Sequence, residues 1–232
     1  MSEPGRTPAP LVITLGGLTA VSGFVDAVSY LALGHVFTAN MTGNVLLLGF
    51  AVAGAAGFSF AASLCALVCF LAGAVTGGIL ARRLGVHRSL VLTAMAVEAV
   101  LTLAAAVIAA SVAGVATGWP RFLVIAILAF TVGTRNAAVR RLGVPDMTTT
   151  VLTTTLTGLA SESALAGGTN PHLRNRSISI LSLFGGALVG AVLVLHAGPA
   201  WSLGAATALV VAAVAYFSRR APEELGVTTS HG

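Results

Sequence analysis

The sequence predicts an all-α fold, a polytopic transmembrane helix bundle of six spans plus two short re-entrant or broken helices, built as an inverted 3+3 internal repeat. Three observations predict it. The 232 residues are 56% hydrophobic and only 8% charged, with a mean hydropathy of +0.97. A soluble domain carries about a quarter charged residues, so these are too few to coat a water-facing surface, and lipid must be the main solvent. Six apolar runs reach the ~20 residues that cross a hydrocarbon core. The arginines gather at alternate ends of those runs.

The spans are expected at residues 11–33, 58–80, 90–110, 122–142, 178–196 and 201–217. Residues 1–10 form a polar tail with one arginine, Arg6. The run after it is too long for the 7–15-residue core of a signal peptide and is expected to be retained. Residues 11–220 make one membrane domain, with repeat one at about 11–112 and repeat two at about 120–218; 221–232 are a polar C-terminal tail. Two shorter segments, 41–56 and 147–160, are rich in Thr, Gly or Asn. Each follows a break, Gly34-His35 in one case and Gly143-Val-Pro-Asp146 in the other. Unpaired backbone in hydrocarbon costs several kcal/mol per group, so both are expected to be helical, whole or in part.

All twelve basic residues are arginines. A net charge of +5 can mark a nucleic-acid binder, but here the arginines sit at span ends rather than in a stripe with aromatics. With the N-terminus inside and both short segments re-entrant, ten lie on the cytoplasmic side: Arg6, Arg82, Arg83, Arg88, Arg140, Arg141, Arg174, Arg176, Arg219 and Arg220. Arg121 alone is outside and Arg135 is within the membrane. If both short segments spanned, the same ten would divide evenly. The positive-inside rule therefore selects six spans with both termini cytoplasmic.

That topology inverts the second half relative to the first. Asp26-Ala27 matches Asn136-Ala137, Thr42-Gly43-Asn44 matches Thr153-Thr154-Thr155, and Gly73/Gly77 match Gly186/Gly190, at offsets of 110, 111 and 113. Inverted repeats with broken helices typify transporters, whose sites lie at the midplane between repeats. Small residues four apart also serve plain helix packing, and these four glycines are expected at close helix contacts.

Asp26 lies about eight residues from its span's outer end, roughly 12 Å down a ~30 Å core. Arg135 and Asn136 sit at equivalent depth from the other side, so Asp26 and Arg135 are expected to share one polar site, as a substrate or proton site or as a structural ion pair. Glu98, also at mid-depth, is a candidate proton carrier, or is simply hydrogen-bonded to a neighbouring hydroxyl. Asn40, Thr42, Asn44, Thr150 and Thr153 line the starts of the short segments, where free N–H groups favour a neutral or anionic small solute. The plainer reading is that such residues glue helices together. His35 and His196 fall at span ends and read as interfacial. Cys65 and Cys69 read as small buried apolar residues, since two thiols make an incomplete metal site. Ser59 at a span end has no positioned base, and no phosphate-binding or dinucleotide motif occurs. No catalytic, cofactor-binding or metal-ligating set is assigned.

The stretch Gly23-Phe-Val-Asp-Ala-Val-Ser-Tyr-Leu-Ala-Leu-Gly34 with Asn40-Met-Thr-Gly-Asn44, and the run from Arg135-Asn-Ala-Ala-Val-Arg-Arg to Asp146-Met-Thr-Thr-Thr-Val-Leu-Thr153-Thr-Thr155, resemble the YoaK-like family of bacterial multi-pass membrane proteins. The resemblance covers nearly all of the chain beyond its N-terminal tail. Thr154 departs from it, standing where the family has Gly in a Thr-Gly-Thr run. It implies an integral protein of the bacterial cell (inner) membrane and implies no activity.

The leading expectation is a small-solute secondary transporter or channel, with the lipid bilayer and a small solute as partners and no nucleic acid. The alternative is a non-catalytic scaffold that assembles through the Gly73/Gly77 and Gly186/Gly190 faces, as a homo-oligomer or with another protein. An intramembrane enzyme ranks third, for want of a catalytic pair.

Overall fold

The computed structural model describes residues 8–85, 88–112, 118–142, 152–169 and 172–220. Among these the chain is helical, with no strand. Six long helices are α1 (Ala9–Ala32), α3 (Phe60–Leu84), α4 (Arg88–Ser111), α5 (Gly118–Arg141), α7 (Leu173–Ala197) and α8 (Pro199–Arg220); two short ones are α2 (Met41–Val52) and α6 (Leu152–Ser161). All six long helices are long and apolar enough to span a bilayer. They outrun the expected spans by a few residues, because intrahelical hydrogen bonding continues into the interface after the apolar run has ended. Arg82, Arg83, Arg140, Arg141, Arg219 and Arg220 thus fall in final helical turns, where the negative end of the helix dipole favours cations.

Local chemistry sets the boundaries. A proline opens the first turn of α1, where its missing N–H is no loss. The helix ends at Gly34 (φ +91°) and His35 (φ +56°), two successive left-handed residues that reverse the chain. Asn40 caps α2 by accepting from the Gly43 N–H at 3.2 Å, and Ser59 caps α3 by accepting from the Ala62 N–H at 3.2 Å. α2 stops at Val52, four residues earlier than expected, because left-handed Gly54 and Gly57 turn the chain into α3. The second break, residues 143–146, lies outside the described residues, as does the expected start of the second short segment.

α1 is the interior helix: 78% of its most apolar stretch is buried, against 22% in α3 and 17% in α7, which present their sides outward. α1 packs on α7 and α8, α5 packs on α3 and α4, and α4 packs on α8. α2 leans on α3 and α6 on α7. The tightest crossings are glycine contacts. A Cβ on Gly73 would strike the Phe130 carbonyl, and one on Gly186 the Ala20 carbonyl, 110 positions earlier. Gly77 meets Thr134 while Gly190 meets Phe24; Gly133 meets Phe70 while Gly23 meets Leu183. All four expected packing glycines therefore sit at close contacts within the chain.

Candidate functional site

The largest fully buried side chain is that of Arg135, 1% exposed, as is Glu98. Arg135 lies six residues from the end of α5, roughly 9 Å in. Helical side chains tilt toward the N-terminus, so the guanidinium extends further toward the centre. There Nη1 donates to Glu98 Oε1 at 2.5 Å and to the Leu18 carbonyl at 3.0 Å, while Nη2 donates to Ser22 Oγ at 2.5 Å. Leu18 and Ser22 bracket the midpoint of α1, and Glu98 lies near the midpoint of α4. Glu98 Oε2 has no hydrogen-bond partner among the described residues. A small cavity, with room for about one water and lined by apolar surface only, touches the side chain of Arg135. Leu18, Val91, Met95, Val139 and Leu142 line it, between α1, the first half of α4 and the last turns of α5.

Asp26 is held by a set of backbone donors of its own. Its Oδ1 accepts from the Thr38 N–H (2.9 Å) and the Ala39 N–H (2.7 Å), and Oδ2 from the Asn40 N–H (3.0 Å). These amides lead directly into α2. Asp26 is six residues from the end of α1, so the loop after α1 turns back by roughly 9 Å before α2 starts. The carboxylate thereby satisfies backbone donors that hydrocarbon would leave unpaired. Asn44, fully buried, fixes the next turn: its side chain donates to the Ser63 carbonyl on α3 at 3.0 Å and accepts from the Phe37 N–H at 3.4 Å. His35 Nδ1 stands 3.2 Å from the Gly57 carbonyl, so the two ends of the α2 excursion meet at one level. Tyr30, Phe37, His35, Phe58 and Phe50 form a chain of ring contacts at that end.

The structure thus brings together Arg135 with Glu98, and Asp26 with the backbone of Asn40. No hydrogen bond or ion pair joins Asp26 to Arg135 among the described residues. Asn40, Thr42 and Thr153 are exposed, Asn40 as the cap of α2, and Asn136 is half-buried on α5. Thr150 lies outside the described residues. Among the described residues no group of three His, Cys, Asp or Glu side chains could hold a metal ion.

Sequence reasoning missed both ion pairs: it set Arg135 against Asp26 and gave Glu98 no charged partner, and it did not single out Arg176 or Glu162. Arg176, buried in the first turn of α7, donates from both Nη atoms to Glu162 just past α6, at 2.9 and 3.0 Å. Its guanidinium lies against Gly158, where a Cβ would come within 2.7 Å. Arg176 holds the Glu162 carboxyl below its ordinary range, chiefly by this hydrogen bond. A glutamate followed by an arginine across a short apolar-to-polar boundary was the available signal.

Residues 14–216 match the family described as "Protein of unknown function (DUF1275)". The UPF0700 transmembrane protein YoaK of Bacillus subtilis (strain 168) is 34% identical over 147 residues, 62% of this chain and 64% of its own. The match therefore spans less than two thirds of that relative. No solved structure matches.

Proposed function

Starting from the fact that the chain belongs to the DUF1275 family and is a multi-pass membrane protein, we propose that it is a small-solute secondary transporter or channel, with its polar site at the midplane between two inverted repeats. The observation that carries this reading is the Arg135–Glu98 pair at the centre of α1, α4 and α5. Charges there cost several kcal/mol each to desolvate, and a structural lock could be made more cheaply from apolar side chains. Intramembrane ionisable residues are functional candidates for that reason.

The inverted repeat draws support from the packing. α1 on α7 has α5 on α3 as its counterpart, and α1 on α8 has α5 on α4, with glycine contacts repeating at offsets of 110 and 113. Each half thus lends its first helix to the other half, and the ion pair joins Glu98 of one half to Arg135 of the other. α2 adds a helix start near mid-depth, as half-helices do in transporters. The assembly alternative relied on Gly73/Gly77 and Gly186/Gly190, which are occupied within the chain. The arginine distribution supports an orientation with both termini on the cytoplasmic side of the bacterial cell membrane. Binding and passage, rather than catalysis, is the proposed activity.

Uptake into proteoliposomes across a panel of neutral, anionic and cationic small solutes tests the reading. At least one solute is expected to enter with the wild type above empty vesicles, and more slowly with Glu98→Gln. Folded wild-type protein that moves none of them would overturn it.

A further inference from the structure

The Arg135–Glu98 pair carries a consequence for what moves with what. Both groups are sealed from solvent, and the pair is net neutral. Only one Glu98 oxygen is held by Arg135; the other, buried, has no donor among the described residues. Arg135 in turn keeps two ligands on α1, the Leu18 carbonyl and Ser22 Oγ, which would hold the guanidinium in place if Glu98 let go. A cavity of about one water's size, apolar in its lining, touches the Arg135 side chain, so the packing beside the pair is incomplete.

We propose that Glu98 and Arg135 form an exchangeable pair that couples the entry of one proton to the entry of one small anion. The inference rests on the transport reading above and names the substrate class of that site. In the resting state the Glu98 carboxylate neutralises Arg135. A proton from water binds the Glu98 carboxylate and makes a neutral acid. Arg135 stays protonated, and a monoanion takes the vacated place on the guanidinium. The site holds zero net charge before and after, so neither state buries an unpaired ion in low dielectric. A proton alone, or an anion alone, would leave one. Release of both on the far side restores the pair.

Among the described residues no other titratable group stands in for Glu98. On α5, Arg135 alone touches it. α8 offers Tyr216, Arg219 and Arg220, and α3 offers Arg82 and Arg83, all near the ends of their helices, with Cys65 and Cys69 in the first half of α3. Asp26 on α1 is taken up by the amides of residues 38–40.

The test uses the full chain in proteoliposomes with an internal pH dye and with chloride, nitrate, lactate and phosphate as probes. Expected is anion influx that acidifies the lumen by one proton per monoanion and is unchanged when potassium and valinomycin clamp the membrane voltage. Glu98→Gln keeps a hydrogen-bond acceptor for Arg135 but carries no proton. Its residual anion flux is expected to lose the acidification and to become voltage-sensitive. Anion flux in the wild type without acidification, or flux of neutral or cationic solutes only, overturns the coupling while leaving transport standing. Absence of flux for every solute overturns both. If Glu98→Gln fails to fold, the wild-type acidification and voltage measurements decide alone.

Discussion

Glu98 gives one carboxylate oxygen to Arg135 and the other to no partner among the described residues, at the centre of the bundle. Removing either member strands the other charge. Arg135→Met is expected to destabilise the protein by about 3–5 kcal/mol, whereas Glu98→Leu with Arg135→Met recovers most of that loss. A double-mutant cycle from unfolding in mixed micelles measures it, and additive losses would show that the two do not couple.

Asp26 accepts from three consecutive amides, those of Thr38, Ala39 and Asn40. Asp26→Ala leaves those donors unmet, at ~1–3 kcal/mol for each that stays buried. Hydrogen exchange at residues 38–44 is expected to rise well before exchange elsewhere in α1. Unchanged protection there would mean that Asp26 does not hold the start of α2.

Neighbouring glycines should behave in opposite ways. Gly73 and Gly186 abut backbone carbonyls, whereas Gly78 and Gly185 have nothing within 4 Å of an added Cβ. Alanine at Gly73 or Gly186 is expected to destabilise by ~1–3 kcal/mol through overpacking. Alanine at Gly78 or Gly185 should be neutral or stabilising by up to ~1 kcal/mol, through reduced backbone entropy in the unfolded chain. Thermal shifts of the four variants check the contrast.

The Arg176–Glu162 pair sets a pH limit on how α6 is held to α7. The hydrogen bonds from Arg176 hold the Glu162 carboxyl below the ordinary glutamate value. Its contribution is therefore fully present above that value and is lost as pH falls through the depressed one. Spin labels at Ala160 and Leu173 are expected to keep their separation from pH 7 to about 5 and to spread only below the ordinary carboxylate range. Glu162→Gln should remove that transition; a transition near neutrality would assign it to another group.

The fold was largely legible because lipid imposes a coarse code. Length and apolarity mark each span, and arginines mark its ends. The glycine pairs at Gly73 and Gly186 were legible for the same reason: close backbone approach leaves a residue-type signature. Partner choice inside the bundle was not. Counting along helices places Asp26, Glu98 and Arg135 at similar levels but gives no azimuth around the helix axis. Arg135 also reaches several ångströms away from its own Cα, toward Glu98 and α1. The partners of Asp26 are backbone amides, which any sequence carries and none advertises.

The pairing of α1 with α7 has a consequence for biogenesis. The ribosome makes α1 first, yet its main packing surface is α7, which starts about 140 residues later. At 5–20 residues per second the first helix waits roughly 7–30 s in the membrane without it. Its carboxylate does not wait as long. Asp26 finds its three donors within 14 residues of itself, so the charge in α1 can be masked as soon as the following loop emerges. Glu98 is answered by Arg135 after another helix. The helix made first is thus covered twice, early by its own loop and late by a distant partner, and a nascent chain cut before α7 would expose the glycine face of α1 to whatever insertion chaperone the membrane provides.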